Sequence, residues 1–483
     1  MIYFVAILGL LLRLSYLNKP EGLWNDEYVS WFVANTPFNQ GFWSQVIKQC
    51  HMPLYYLILK PFTGYSDLIL RLTSVAAGVL SIFAMYYLGK EFSKKTGFFL
   101  ATITSVLSFL IYYSQEVRFY SMLFLFSALT VLYTIRLIKN TNKKNIIMFT
   151  LSICLTLLTH VLGWIFITLC IIYVVYKKKS LPKTTIIISL IAFCLIIPLG
   201  LNILKMIPSS QWWGHFSYTN ILFLFSDFFS PILTNNVNAP PVFFYNKNLI
   251  AWLLLPCLIV IYPLIEGFKQ IKGLGIIAFS TIIVMSILAC TGTIVFITKY
   301  SIEILPIFLL ALALGFEKLG KIGNILFAIF ITIHLTAFFT PNYVTKIIRK
   351  EGQRIPAEII IARNPDNIIF TYYEPNRFTR YIDLSNKKVF YISKINRFEY
   401  LDNPQEILEN IQSGDRVSIV FLDSVSFFDK AFIKANANNP KIPEMFLTFS
   451  RIKNCLIDTL NNDYKDFQVD KLGSWTVITA TKK

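Results

Sequence analysis

Apolar residues in this chain do not alternate with polar ones at the period of a surface helix or strand; they run on. Eleven stretches read as membrane-spanning helices, at residues 1–17, 67–89, 97–113, 119–138, 146–159, 161–176, 184–204, 248–265, 274–292, 300–316 and 322–339. The reason is length: a bilayer core of about 30 Å takes about 20 apolar residues in a helix. The stretches 146–159 and 161–176 are short and nearly continuous, so the pattern requires a tight hairpin between them. Residues 1–17 have no basic region before the apolar run and no small-x-small site after it. Leu17-Asn18-Lys19-Pro20 reads as a helix exit, which predicts a retained first span rather than a signal peptide.

From about residue 340 the pattern changes. Short β-like runs appear at Asn367–Thr371, Lys388–Ile392, Val417–Leu422 and Trp475–Thr479. A helix-like stretch, Asn403–Ile411, is opened by Asp402-Asn403-Pro404 and closed by Gly414. Strands alternating with helices predict a small α/β domain. The expected architecture is a polytopic α-helical membrane domain over residues 1–339, with 18–66 as a first outer loop carrying interfacial helices, and a soluble extracytoplasmic α/β domain over 340–483.

Composition supports this reading. Only 15% of residues are charged while 55% are hydrophobic, at a mean hydropathy of +0.56; soluble domains carry roughly 25% charged residues. A cytosolic globular enzyme and a disordered chain are both excluded. The net charge of +18 invites a nucleic-acid reading, but its distribution argues otherwise. Lys90, Lys94 and Lys95; Arg136, Lys139, Lys143 and Lys144; Lys177, Lys178, Lys179 and Lys183; Lys269 and Lys272; Lys318 and Lys321 all fall on one side if the spans alternate. Short basic loops mark the cytoplasmic face, so the charge is a topological address and no nucleic-acid partner is expected. The opposite loops, 18–66, 114–118 and 205–247, and the tail from about 340, are then extracytoplasmic. The seven cysteines are scattered singly and suggest neither a disulfide framework nor a metal cluster.

The outer loops hold the candidate chemistry. Leu23-Trp24-Asn25-Asp26-Glu27-Tyr28 places two adjacent carboxylates just outside a span, where acids are costly unless paired, hydrated or functional. Asp26 can serve as a general base toward an attacking hydroxyl, and Glu27 can hold it in place or bind a cation. The plainer alternative is that Asp26 caps the following helix while both acids face water. Tyr28–Ala34 and Gly41–Lys48 form an amphipathic stretch suited to the headgroup layer. His51, beside Pro53, can contact a phosphate, ligate a metal, act as an acid or, more plainly, form a structural hydrogen bond. Gln115-Glu116-Val117-Arg118-Phe119-Tyr120 sits at an outer junction, and Arg118 suits bidentate phosphate binding or else snorkels or pairs with Glu116. Arg13 and Arg71 are intramembrane cations, and Asp67 is spaced to pair with Arg71. His160 ends the fifth span, and Lys299-Tyr300 opens the tenth.

Taken in order, Asp26-Glu27, His51-x-Pro53-Leu54-Tyr55, Gly64-x-Ser66…Arg71 and Gln115-Glu116-x-Arg118-x-Tyr120 resemble the bacterial glycosyltransferase family 39 group. That group belongs to the GT-C superfamily, with the protein O-mannosyltransferases and the aminoarabinose transferases that modify lipid A. The close resemblance covers about residues 1–175; beyond them only the architecture matches. Where the lipid A branch has a Glu-Lys pair, this chain has Cys50 and His51, and the Pro-Pro of many relatives is Met52-Pro53 here.

The resemblance implies a GT-C-like fold and an inverting transfer of a sugar from a polyprenyl-phosphate donor to a glycan, lipid or protein acceptor. The place would be the outer side of a bacterial plasma membrane. It implies Asp26 as general base and Glu27 as its supporting acid. Arg118, His51, Lys299 and Tyr120 are then expected at the donor phosphate, with Gln115, Glu116, Arg71 and His160 in support. No cofactor is demanded, though a divalent metal on Glu27 and His51 is compatible with the spacing. Two other readings stand beside this one. A lipid-linked glycan polymerase or ligase would centre on a late loop with Arg and His, but 205–247 has His215, Trp212 and Trp213 and no Arg. A transporter or flippase would show repeated halves and broken helices.

Overall fold

A computed structural model describes residues 1–19, 22–179, 183, 186–187, 194, 197–203, 205, 219–231, 247–294, 296–339, 352–371, 378–392, 405–422, 453–472 and 475–483. About half of the expected span at 184–204, and the loop residues Trp212, Trp213 and His215, lie outside them. The chain divides into two compact units. One joins Met1–Leu17 to Val29–Val344; the other joins Asn18–Tyr28 to Thr345–Lys483.

The first unit is helical. Its elements are α1 (Ile2–Leu14), α2 (Asn25–Asn35, begun in the other unit), α3 (Gln40–Lys48), α4 (Leu54–Leu59), α5 (Asp67–Lys90), α6 (Lys94–Val106), α7 (Ser108–Ser114), α8 (Tyr120–Lys139), α9 (Lys143–Thr159) and α10 (Gly163–Lys178). Then come α11 (Thr219–Phe229), α12 (Lys247–Gln270), α13 (Lys272–Cys290), a 3₁₀ segment (Thr298–Ile304), α14 (Leu305–Lys318) and α15 (Gly320–Phe338). Among the described residues, five helices are long and apolar enough to cross a membrane, or six if the bent pair α6 and α7 is one span. The tight hairpin the pattern required is present: α9 ends at Thr159 and α10 starts at Gly163. One expected span is not straight. The stretch 97–113 breaks at Leu107, and α7 leaves α6 at 56°.

Helix α14 is apolar all round and buried at every position from Leu305 to Phe316, as expected of a helix with no polar face. It packs on α12 at close range. A Cβ on Gly267 would run into the Ala311 carbonyl, and one on Gly315 into the Pro263 carbonyl. Small residues at both crossing points let the two backbones touch. Gly267→Ala or Gly315→Ala must push the helices apart and is expected to cost about 2–3 kcal/mol. A lowered apparent melting temperature in detergent, with Gly275→Ala as a milder control, checks this. At the basic-loop ends the charges find partners: Glu91 accepts from Arg136 at 2.7 Å and Lys139 at 3.1 Å, and Glu266 pairs with Lys269 and, at 2.6 Å, with Lys318.

The second unit holds a five-stranded mixed sheet, β1 (Asn367–Phe370), β2 (Lys388–Tyr391), β3 (Arg416–Leu422), β4 (Tyr464–Leu472) and β5 (Trp475–Lys482), in the order β2-β1-β3-β5-β4. β2, β1 and β3 are parallel; β5 is antiparallel to β3 and β4. Side chains alternate between the faces. Ile368, Phe370, Val420 and Val477 meet Ala357 and Ile360 of the helix Arg354–Arg363. Ile369, Val417, Ile419, Phe421 and Ile478 meet Leu408, Leu456 and Leu460 on the other side. Covering on both faces is what an α/β layer requires, so the predicted class holds. Four of the strands fall where the β-like runs predicted, whereas β4 was not expected.

Candidate active site

In the first unit, five of the predicted side chains come together from four separate stretches of chain. A left-handed turn at Cys50 (φ 56°) precedes His51, between α3 and α4. Arg118 lies in the loop between α7 and α8, Tyr120 is the first residue of α8, His160 lies in the α9–α10 turn, and Lys299 lies in the 3₁₀ segment. Arg118 Nη2 stands 2.9 Å from His51 Nε2, and Arg118 Nη1 donates to Ser30 Oγ at 3.3 Å. The guanidinium carbon sits 5.2 Å from the Phe119 ring centre and 5.6 Å from that of Tyr120. Lys299 Nζ sits 5.6 Å from the same Tyr120 ring and 5.5 Å from Tyr300. One aromatic ring thus serves two cations, each within cation–π range. Phe119, His160 and Tyr300 continue the arrangement as a stack, at 4.9 and 5.4 Å between ring centres.

A guanidinium only donates, so His51 Nε2 must accept, and His51 is the neutral tautomer protonated at Nδ1. Electrostatics agrees. Burial holds the His51 pKa well below its ordinary value, with Arg118, His160 and Lys299 adding to it. His160 is pushed down to about 3, by burial first and then by Arg118. His51 therefore orients Arg118 from behind through Nε2.

A stability prediction follows from these two histidines. In the unfolded chain a histidine takes its proton near pH 6.5; in the fold, His160 resists until about pH 3. The unfolded state therefore binds more protons as pH falls below about 6.5. Stability is complete above that value and declines beneath it, by about 2 kcal/mol at pH 5 for His160 alone, with His51 acting in the same direction. Apparent melting in detergent at pH 7.5 and pH 5 reads this, and His160→Asn should flatten the dependence.

Other predicted residues do related work nearby. Gln115 Nε2 donates to the carbonyls of Leu12, Arg13 and Ser15, at 3.3, 3.1 and 2.6 Å, so it closes the end of α1. Arg71 Nη1 donates to the Leu17 carbonyl at 3.3 Å. Glu116 is buried, and its carbonyl accepts from the Arg118 N–H at 2.7 Å.

Asp26 and Glu27 belong to the second unit. The segment ahead of them is held there by two hydrogen bonds: Leu23 N–H to Tyr381 Oη at 2.7 Å, and Gln353 N–H to the Leu23 carbonyl at 3.3 Å. Trp24 is the N-cap of α2, and Glu27 Oε2 reaches back to accept the Trp24 N–H at 3.3 Å. That is one arm of a capping box. The capping role considered for Asp26 thus falls to Glu27, which is buried, while Asp26 stays half-exposed at the second helical position. Asn25 Nδ2 donates to Asp26 Oδ1 at 3.4 Å.

Among the described residues no three His, Cys, Asp or Glu side chains converge as a metal would need. Sequence reasoning did not single out Ser30, Phe119 or Glu303, and it used Tyr300 only as a span boundary. Glu303 lies three residues beyond Tyr300, hence on the same face of the 3₁₀ segment. It is fully buried, and among the described residues neither carboxyl oxygen has a hydrogen-bond partner. Its place inside an apolar run was the only available signal.

Residues 51–200 match the family model described as dolichyl-phosphate-mannose-protein mannosyltransferase. No curated protein matches the sequence. Among solved structures, ArnT from Cupriavidus metallidurans in the apo state is similar, with a TM-score of 0.59 and 9% identity over 99% of this chain and 97% of that chain. The same protein bound to undecaprenyl phosphate gives a TM-score of 0.57 over the same shares, again at 9% identity. The chain accordingly has the fold of ArnT, and its residues 51–200 carry the sequence pattern described as dolichyl-phosphate-mannose-protein mannosyltransferase.

Proposed function

We propose that this protein transfers a sugar from a polyprenyl-phosphate donor to a hydroxyl-bearing acceptor on the extracytoplasmic face of a bacterial plasma membrane, with inversion at the anomeric carbon. The observation that carries the reading is the convergence of Arg118 and Lys299 on one Tyr120 ring, with neutral His51 orienting the guanidinium. Two preorganised cations suit a phosphate whose negative charge grows as the sugar leaves. The similar fold of a protein solved with undecaprenyl phosphate supports the same ligand class.

In this mechanism the donor phosphate rests on Arg118 and Lys299, and the isoprenoid lies along the spans. Asp26 takes the proton of the acceptor hydroxyl. The hydroxyl oxygen attacks the anomeric carbon from the side opposite the phosphate, the carbon–oxygen bond to phosphate breaks, and polyprenyl phosphate departs with the electron pair. A phosphate is already a good leaving group, so cations serve it better than an acid would. Glu27 keeps Asp26 at the head of α2. The sugar and the acceptor class are named by mass spectrometry of envelope glycans from a deletion strain. The reaction itself is tested with purified protein and a polyprenyl-phosphate sugar: release of polyprenyl phosphate supports transfer, while movement of the intact lipid without release would replace this reading with a flippase.

A further inference from the structure

We propose that Arg13, a cation inside the first span, is a positioning residue for Arg118, acting through the helix break at Leu107. The inference rests on the donor reading above and extends it to a residue with no place at the phosphate.

A break inside a membrane helix frees backbone groups that no water can satisfy. In a continuous helix the carbonyls of Thr104 and Ser105 would pair with the N–H groups of Ser108 and Phe109. Here Arg13 takes both carbonyls, Nη2 donating to Thr104 and Nη1 to Ser105, each at 3.0 Å. The freed N–H of Ser108 turns instead to His334 Nδ1 at 3.4 Å, and the Ser108 hydroxyl lies 3.1 Å from the same nitrogen. His334 Nε2 is 3.1 Å from the Phe229 carbonyl. The two sides of the break thus have two dedicated partners from distant helices.

Arg13 reaches further. Its Nε donates to Ser114 Oγ at 3.1 Å, and Ser121 Oγ donates to the same oxygen at 3.1 Å, while Ser114 Oγ itself donates to the Leu110 carbonyl at 2.6 Å. Ser114 is the last residue of α7 and Ser121 the second of α8. One chain of hydrogen bonds rooted in Arg13 therefore ties together both ends of the loop that carries Arg118. The Arg118 carbonyl is held as well, by Ser74 Oγ at 3.0 Å. The packing leaves room for a fork and little else: a Cβ on Gly78 would stand 2.8 Å from Arg13 Nε. Three carbonyls, counting Gly9, and a hydroxyl in fixed directions suit the rigid five-donor guanidinium. A lysine keeps the charge and loses the fork.

Binding of undecaprenyl phosphate to the full-length protein in detergent, with apparent melting measured in parallel, tests this. Arg13→Gln is expected to weaken binding about tenfold, and Arg13→Lys to weaken it almost as much, because geometry rather than charge is lost. In an Arg118→Ala background, Arg13→Gln should change binding less than about twofold, since the group it positions is gone. Ser114→Ala, which cuts the link to α8 but leaves the carbonyls capped, should weaken binding a few-fold in a protein that folds, and it carries the test if the Arg13 variants do not fold. Wild-type binding by Arg13→Lys, full additivity with Arg118→Ala, or an unaffected Ser114→Ala would each overturn the inference. Failure of the wild-type protein to bind undecaprenyl phosphate would overturn the donor reading instead.

Discussion

Replacing Asp26 with asparagine is expected to reduce sugar transfer about a thousandfold, the middle of the range for loss of a general base, while expression and donor binding persist. The local structure makes this substitution discriminating. Asp26 sits at the second position of α2, where asparagine is tolerated, and the cap of that helix is the contact between Glu27 and the Trp24 N–H. The substitution leaves this contact untouched, so the helix start survives and what disappears is the proton acceptor. Turnover with a polyprenyl-phosphate sugar, set beside binding of undecaprenyl phosphate, separates the two. Near-normal turnover by Asp26→Asn would assign the base elsewhere. Glu27→Gln should do less, since a neutral amide oxygen can still accept from Trp24.

Arg118→Ala is expected to lower kcat/KM for the donor by two to three orders of magnitude, or about 3–4 kcal/mol of transition-state stabilisation. Two losses add. The phosphate loses its best-placed cation, and His51, held neutral by burial and by its charged neighbours, loses the donor at its Nε2. Arg118→Lys should recover part of the activity through charge alone, because one ammonium cannot face Ser30, His51 and a phosphate as a planar fork does. Titrating donor concentration against initial rate reads the effect, and an unchanged dependence in Arg118→Ala would remove this residue from the site. His51→Gln, which keeps an acceptor, should fall between wild type and Arg118→Ala.

How much of this was legible in the sequence depends on how far apart the cooperating residues lie. The positions of the long apolar helices were legible because hydropathy is local. The hairpin at His160 and the change of character near residue 340 follow from chain pattern alone. The break at Leu107 was not, since nothing within Lys94–Ser114 explains it: there is no proline, and the glycine at Gly97 is far from the bend. The groups that satisfy it, on Arg13 and His334, are supplied from other helices. Strand β4 was missed for a different reason. It lies at the sheet edge, reads Tyr-Lys-Asp-Phe-Gln-Val-Asp-Lys-Leu and carries an irregularity between Lys465 and Gln468, so the run is mostly polar. At the site, motif order pointed to Asp26, His51 and Arg118 one at a time. That His51 accepts from Arg118 across 67 positions, or that Tyr300 stacks on His160, has no trace in local pattern.

The grouping of Asn18–Tyr28 with Thr345–Lys483 bears on how proteins of this shape can be re-engineered. The C-terminal part of the chain looks like an interchangeable cassette, to be swapped between relatives in search of new acceptors. In this chain it is also the mooring of the short segment that ends in Asp26, through Tyr381 and Gln353. A graft that brings a foreign tail without its matching N-terminal strap would unfasten the candidate base in the same stroke, and an inactive chimaera would say nothing about acceptor choice.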